Sequence, residues 1–339
     1  MQNKQSILIV KLRALGDSIM GLSTVDYLRS LYPQSKIYYA VPSWIVPLYD
    51  NVKISADAII AMDLKRPHDW IKCWRLMRQL KIDLVYEMHQ SGRSKKFFSL
   101  FSLIHRIPYF FHNHHLKDGT SVVGQGMIRP LIQRDLDGVY SFLGRTNNHD
   151  TSPPHYLHYP PRLLITRKAQ KQRRIIFGVV ATRATKMWPI ENYLLLSKII
   201  FKHHPDIEIA IPLSKSSDDL AIKEKFSKHE IDSRIIFVHL SLAELPHFFA
   251  ESFLYIGNDT GIKHLAIAVG LKTYTFFGPE PPNEWHPYDV STHPYFYIED
   301  VICRTENAHY CGKFHCETMD CLRKLQVETV WKKISSSIR

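Results

Sequence analysis

The chain has 339 residues, 45% of them apolar, enough for two ordinary domains, each with its own core. Its formal charge is +12, from 44 Lys and Arg against 32 Asp and Glu, and that balance favours anionic partners: phosphorylated metabolites, an acidic membrane face or nucleic acid. No apolar run approaches the roughly 20 residues that cross a bilayer, and no long Lys/Arg tract is present, so neither an integral membrane protein nor a nucleic-acid reader is expected.

The opening stretch, MQNKQSILIVKLRALGD, has only the apolar run Ile7 to Val10 before Lys11, too short for a signal-peptide core, and a cytoplasmic location is expected. SILIV reads as the first strand and runs directly into VKLRALGDSIMGLSTVDYLRSLYP, where Gly16 makes the turn and Asp17 arrives at the start of the first helix. An acidic side chain in a first turn is stabilising without further purpose. At the end of a parallel strand the same carboxylate also points into the crevice where α/β sheets hold ligands. Arg13 lies in the same loop.

KIYYAV, DAIIAM, DLVYEM and RIPYFFH continue the rhythm, short β-rich runs separated by helical patterns, which means βαβ units and a parallel sheet. Residues 147–173 are rich in proline and polar groups and interrupt it. The expected division is a Rossmann-like domain at 1–150, a linker at 151–173 and a second Rossmann-like domain at 174–320, built on RRIIFGVV, DIEIAIPL, RIIFVHL, SFLYIGN and KTYTFFG. Residues 321–339 should form a helix able to pack back on the first domain.

In the second half GVVATRATKMWPIENY places Thr182, Arg183, Thr185 and Lys186 between a buried strand and a helix opened by Pro189. Hydroxyls and cations in such a loop suit phosphate oxygens, although polar loops are also common. IGNDTGIKHLAIAVG gives a helix from the face Ile262, Leu265, Ala266 and Val269, with Asp259 and Thr260 as caps and Gly270 as the stop. Lys263 and His264 in its first turn oppose the helix dipole unless they swing into solvent or an anion sits there. Cys303, Cys311, Cys316 and Cys321 fall within nineteen residues, a cluster that in a cytosolic protein reads as a metal site or as scattered structural thiols.

The RALGD, ATKMWPIENY and IGNDTGIKHLAIAVG blocks, followed by FFGPEPPNEWHPY, resemble the signature blocks of glycosyltransferase family 9, the ADP-heptose:lipopolysaccharide heptosyltransferases and their relatives. The resemblance implies a GT-B architecture, two Rossmann-like domains with parallel sheets facing a cleft, and an inverting glycosyltransferase. It would move a heptose-like sugar from a nucleotide diphosphate sugar to a lipopolysaccharide-core or other surface-glycan acceptor, with no metal required for catalysis. Carried over by position, Asp17 is the general base and Lys186 faces the donor phosphates. Asp259, Thr260, Gly261 and His264 form the donor motif, joined by Thr182 and Thr185, while Lys263 matches no motif position and is left to solvent.

Arg13, Arg93, Lys95 and Lys96 are candidates for an acidic acceptor, and the cysteines for structural zinc or iron. Two turns depart from the pattern: SKSSDD leaves Asp218 as the acidic residue after its strand, and SLAELPHF replaces a glycine turn. The positive charge is compatible with peripheral contact at an acidic membrane face, and no nucleic-acid partner is expected. The alternative is a non-catalytic family member that binds a nucleotide sugar or glycan; Asp17 and Lys186 together argue against it. An epimerase or dehydrogenase is disfavoured by the lack of a glycine fingerprint.

Overall fold

The computed structural model describes residues 5–112, 129–144, 152–167, 169–304 and 315–338. They divide into two compact units, one formed by residues up to 112 with Arg129–Leu164, the other by residues from Ile165 onward.

In the first unit β1 (Ser6–Val10) leads through α1 (Leu15–Met20) and α2 (Leu22–Leu31) to β2 (Lys36–Val41). The short β3 (Val52–Lys53), β4 (Ala58–Ala61), α3 (Pro67–Gln79), β5 (Leu84–Met88), α4 (Gly92–His105), β6 (Tyr109–His112) and α5 (Leu131–Val139) follow. The sheet order is β4-β2-β1-β5-β6, all parallel. Strands of such a sheet are covered on both faces, which is why SILIV and LVYEM are apolar almost throughout instead of alternating. The chain direction across the sheet reverses between β1 and β5, and the residues that leave β1 therefore open onto the crevice of that switch point. The expected linker begins later than the composition suggests: Tyr156 N–H donates to Gln133 Oε1, and Tyr159 packs edge-on against Tyr27, so this stretch belongs to the first unit.

The chain enters the second unit within β7 (Leu164–Ile165). There β8 (Arg174–Gly178), α6 (Ile190–His203), β9 (Glu208–Pro212), α7 (Ser217–Ser227), β10 (Ile235–Val238), α8 (Leu245–Glu251), β11 (Leu254–Asn258), α9 (Gly261–Ala268), β12 (Lys272–Phe277), α10 (Pro282–Trp285) and β13 (Tyr295–Tyr297) follow in turn. The sheet runs β10-β9-β8-β11-β12-β13, again all parallel, with its switch point between β8 and β11. At that point Gly178 pairs with Gly257, and a Cβ on Gly178 would lie 1.9 Å from the Tyr255 hydroxyl.

The C-terminal segment forms two short helices where the sequence suggests one. It forms α11 (Asp320–Arg323) and α12 (Val327–Ile334), and Leu322, Val327, Val330 and Ile334 complete the core of the second unit. Trp188 Nε1–H anchors this segment by donating to Leu325 O at 3.1 Å. Among the described residues no helix is long and apolar enough to cross a membrane.

Candidate active-site residues

Asp17 sits in the first turn of α1, half-buried, at the exit of β1. Burial raises its carboxyl above the ordinary range; Lys11 opposes the rise, Asp135 adds to it, and Arg13 opposes it more weakly. A carboxylate made more basic by its surroundings, at a sheet's switch point, is suited to accept a proton.

In the same unit Arg13 and Arg93 line one cavity of about 250 Å³ with Lys65, Asp63, Ser91 and Trp44. Three cations and an indole that is 54% exposed suit an anionic sugar, with charge for its acid group and a flat ring for its apolar face. Lys95 and Lys96 do not line this cavity; they stand exposed on α4.

In the second unit Asn258, at the end of β11, accepts from Trp188 N–H through Oδ1 at 2.9 Å and donates through Nδ2 to Val179 O at 2.6 Å. It thereby fastens the loop carrying Lys186 to the loop carrying Asp259. Asp259 Oδ2 lies 2.9 Å from Lys186 Nζ, and Oδ1 lies 2.6 Å from Lys263 Nζ. Burial alone would raise the Asp259 carboxyl, but the two lysines outweigh it and hold it well below the usual carboxylate range.

Lys263 is not on the solvated surface. Its side chain has no exposed area, donates to Trp285 O at 2.9 Å and sits over the Phe277 ring. His264 is buried as well, with Nδ1 2.5 Å from Tyr288 Oη, and burial followed by Lys263 pushes its pKa well below the ordinary histidine value. His264 is neutral, so the positive charge at the head of α9 comes from the lysines.

Thr260 occupies the N-cap of α9 without a side-chain cap, Gly261 opens the helix, and Gly270 adopts φ +85°, the left-handed stop expected after it. Of the remaining donor candidates Thr182 is exposed, whereas Thr185 is buried. Arg183 forms an ion pair with Glu280, whose carboxyl is raised by burial and lowered by Lys186 and Arg183. Glu280 joins this group of charges, and the reading of FFGPEPPNEW passes over it because its partner lies 97 positions away. Asp218 is exposed near the start of α7, where Ser216 and Asp219 make the cap.

Cys311 lies outside the described residues. Among the described residues no three potential ligands group around one point, so Cys303, Cys316 and Cys321 do not make a three-ligand set. No step is therefore assigned to a metal held there.

The profile of glycosyltransferase family 9 (heptosyltransferase) matches residues 70–307. Lipopolysaccharide heptosyltransferase 1 of Campylobacter coli is 32% identical over 123 residues, 35% of this chain and 36% of the relative, so the chain spans about a third of that relative's length in this match. Lipopolysaccharide core heptosyltransferase OpsX of Haemophilus influenzae is 21% identical over 303 residues, 84% of this chain and 82% of its own. The structure of E. coli ADP-heptose lps heptosyltransferase II is similar with a TM-score of 0.70 at 17% identity, over 98% of both chains, a likeness that shows the shared GT-B fold. With the family profile matching well over half of the chain, and the motif residues standing at the switch points of two Rossmann-like sheets, the protein belongs to glycosyltransferase family 9.

Proposed function

We propose that the protein transfers a heptose-like sugar, with inversion, from a nucleotide diphosphate sugar to a lipopolysaccharide-core or similar surface glycan. The observation that carries this reading is the pairing of two chemistries the reaction needs: a carboxylate of raised basicity at Asp17 and a lysine-neutralised anion site at the head of α9. In a single displacement the acceptor oxygen attacks the anomeric carbon as Asp17 takes its proton, and the bond to the nucleotide diphosphate breaks with its electron pair going to the leaving oxygen. The departing charge meets Lys186 and the N-terminal end of α9. Lys263, sealed from solvent, serves as the standing counter-ion of Asp259, while Lys186, 15% exposed, keeps access to the donor.

The relatives' names support ADP-heptose as the donor to try first and a lipopolysaccharide core as the acceptor. The cavity of Arg13, Lys65, Arg93 and Trp44 would take the anionic portion of that acceptor. Charge at the diphosphate is supplied by side chains, so transfer should survive a chelator. Peripheral membrane contact would use the outer side of α4, where Leu100, Leu103 and Ile104 stand exposed close to Arg106, along with Ile71, Lys72 and Arg75 on α3.

Kinetics of Lys186→Ala at saturating donor test the mechanism. The reading expects kcat as well as donor KM to suffer, by about 2–4 kcal/mol in transition-state terms, the scale of one lost charge-stabilising donor. Full turnover at high donor concentration would reduce Lys186 to a binding residue.

A further inference from the structure

In the first unit four side chains from four separate segments form one largely buried chain of polar contacts. Tyr86 Oη lies 2.7 Å from His112 Nδ1, His112 Nε2 lies 2.9 Å from Asp135 Oδ1, and Lys11 Nζ donates to Asp135 Oδ2 at 2.9 Å. Lys11, Tyr86 and Asp135 have no exposed surface. One turn after Asp135, Gly138 lets α5 approach: a Cβ there would lie 2.5 Å from both Tyr86 Oη and His112 Nδ1.

A buried ion pair seldom repays its desolvation, and a well-packed apolar pair would serve the fold as well or better. What sets this one apart is its neighbour. Lys11 directly follows β1, six residues before Asp17, and Lys11 and Asp135 act on the Asp17 charge with opposite sign. The other groups around α1 are Arg13 in the preceding loop, Tyr39 from β2, whose hydroxyl donates to Ser18 O at 2.7 Å, and Tyr49, whose hydroxyl lies 2.6 Å from Ser18 Oγ.

We propose that Asp135 is a positioning residue for the transfer reaction: holding Lys11 with one carboxylate oxygen and His112 with the other, it keeps the lysine's charge off Asp17 and so keeps Asp17 basic enough to accept the acceptor's proton. This rests on the reading of Asp17 as the base. Tyr86 and His112 act one step further back, fixing the carboxylate of Asp135. If Lys11 were released from Asp135, its charge would settle on Asp17, which would stay ionised to lower pH and become a weaker base.

The acid limb of the kcat/KM profile reports the free enzyme's base, and two variants should move it in opposite directions. Asp135→Asn removes an influence that raises the Asp17 carboxyl, so the limb moves to lower pH and the plateau falls. Lys11→Met/Asp135→Asn removes both charges, and because the lysine's influence is the larger, the limb moves to higher pH. A purely structural role would lower activity in both without this reversal. The double variant removes both partners of the buried Lys11–Asp135 pair together, so it remains a fair test if Asp135→Asn alone fails to fold; a limb that does not rise in it overturns the proposal. Asp17→Asn serves as the control. Full activity in that variant would defeat the base assignment itself, whereas its loss together with unmoved limbs in the other two would defeat only the role of Asp135.

Discussion

On the proposed mechanism Asp17 takes a proton from a sugar hydroxyl, which requires it to be ionised near neutral pH and yet more basic than an exposed aspartate, and its half-buried place after β1 suits that compromise. Asp17→Asn keeps the shape of the first turn and loses the base. Turnover should fall by roughly 10²–10⁴ with donor affinity nearly intact, the range for removal of a positioned base; unchanged turnover would return Asp17 to a helix-dipole role. Lys263 is the residue whose reading changed most. A lysine in a first turn opposes the dipole and is expected in solvent, yet its partner stands four positions earlier, at the i, i+4 spacing of an ion pair, just ahead of the helix. Lys263→Met leaves Asp259 with Lys186 alone and draws that lysine from the donor. Calorimetry should register a loss of about 3 kcal/mol, the lower end for removing one partner of a buried pair, and donor KM should rise. A variant with unaltered melting and KM would make Lys263 incidental.

At the scale of elements, most of the two sheets could be read directly: SILIV, KIYYAV, LVYEM, EIAIP and LYIGN are apolar on both faces, and only parallel strands covered by helices want that. The three-residue β13 has too little pattern to show, and nothing local in HNHH or IQRDLDG announces that His112 and Asp135 meet, because β6 and α5 are brought together by topology alone.

The segment between β12 and β13 carries a pH response. His286 is 5% exposed, Nε2–H donates to His293 O at 2.6 Å, and burial with the nearby Lys263 lowers its pKa to about 3. The unfolded chain binds that proton below about 6.5 while the folded chain refuses it, so stability is whole above that pH and is lost as the pH falls toward the folded value. Near pH 5 His286 alone should cost about 2 kcal/mol. Melting curves should show a weaker acid loss in His286→Gln, and parallel curves for the two proteins would refute the assignment. The exposed side of α4 is tested separately: Leu103→Asp should weaken sedimentation with phosphatidylglycerol vesicles at low salt while sparing transfer to a soluble acceptor, and equal binding would remove α4 from the contact.

For the molecule as a whole, the family was legible because its motif blocks fall at strand ends, the positions where an α/β fold places chemistry regardless of what fills the rest of the sheet. The candidate acceptor cavity was less legible, since Arg13, Trp44, Lys65 and Arg93 come together only from four segments far apart in the sequence. The most direct measurement is acceptor-dependent release of nucleotide diphosphate from a panel of nucleotide sugars, ADP-heptose among them, by the wild-type protein and by Asp17→Asn. The account predicts release from one donor only when a lipopolysaccharide-core acceptor is present, and an Asp17→Asn protein that is still stabilised by that donor yet releases almost none. Release that ignores the acceptor, or an Asp17→Asn protein as fast as wild type, would contradict it.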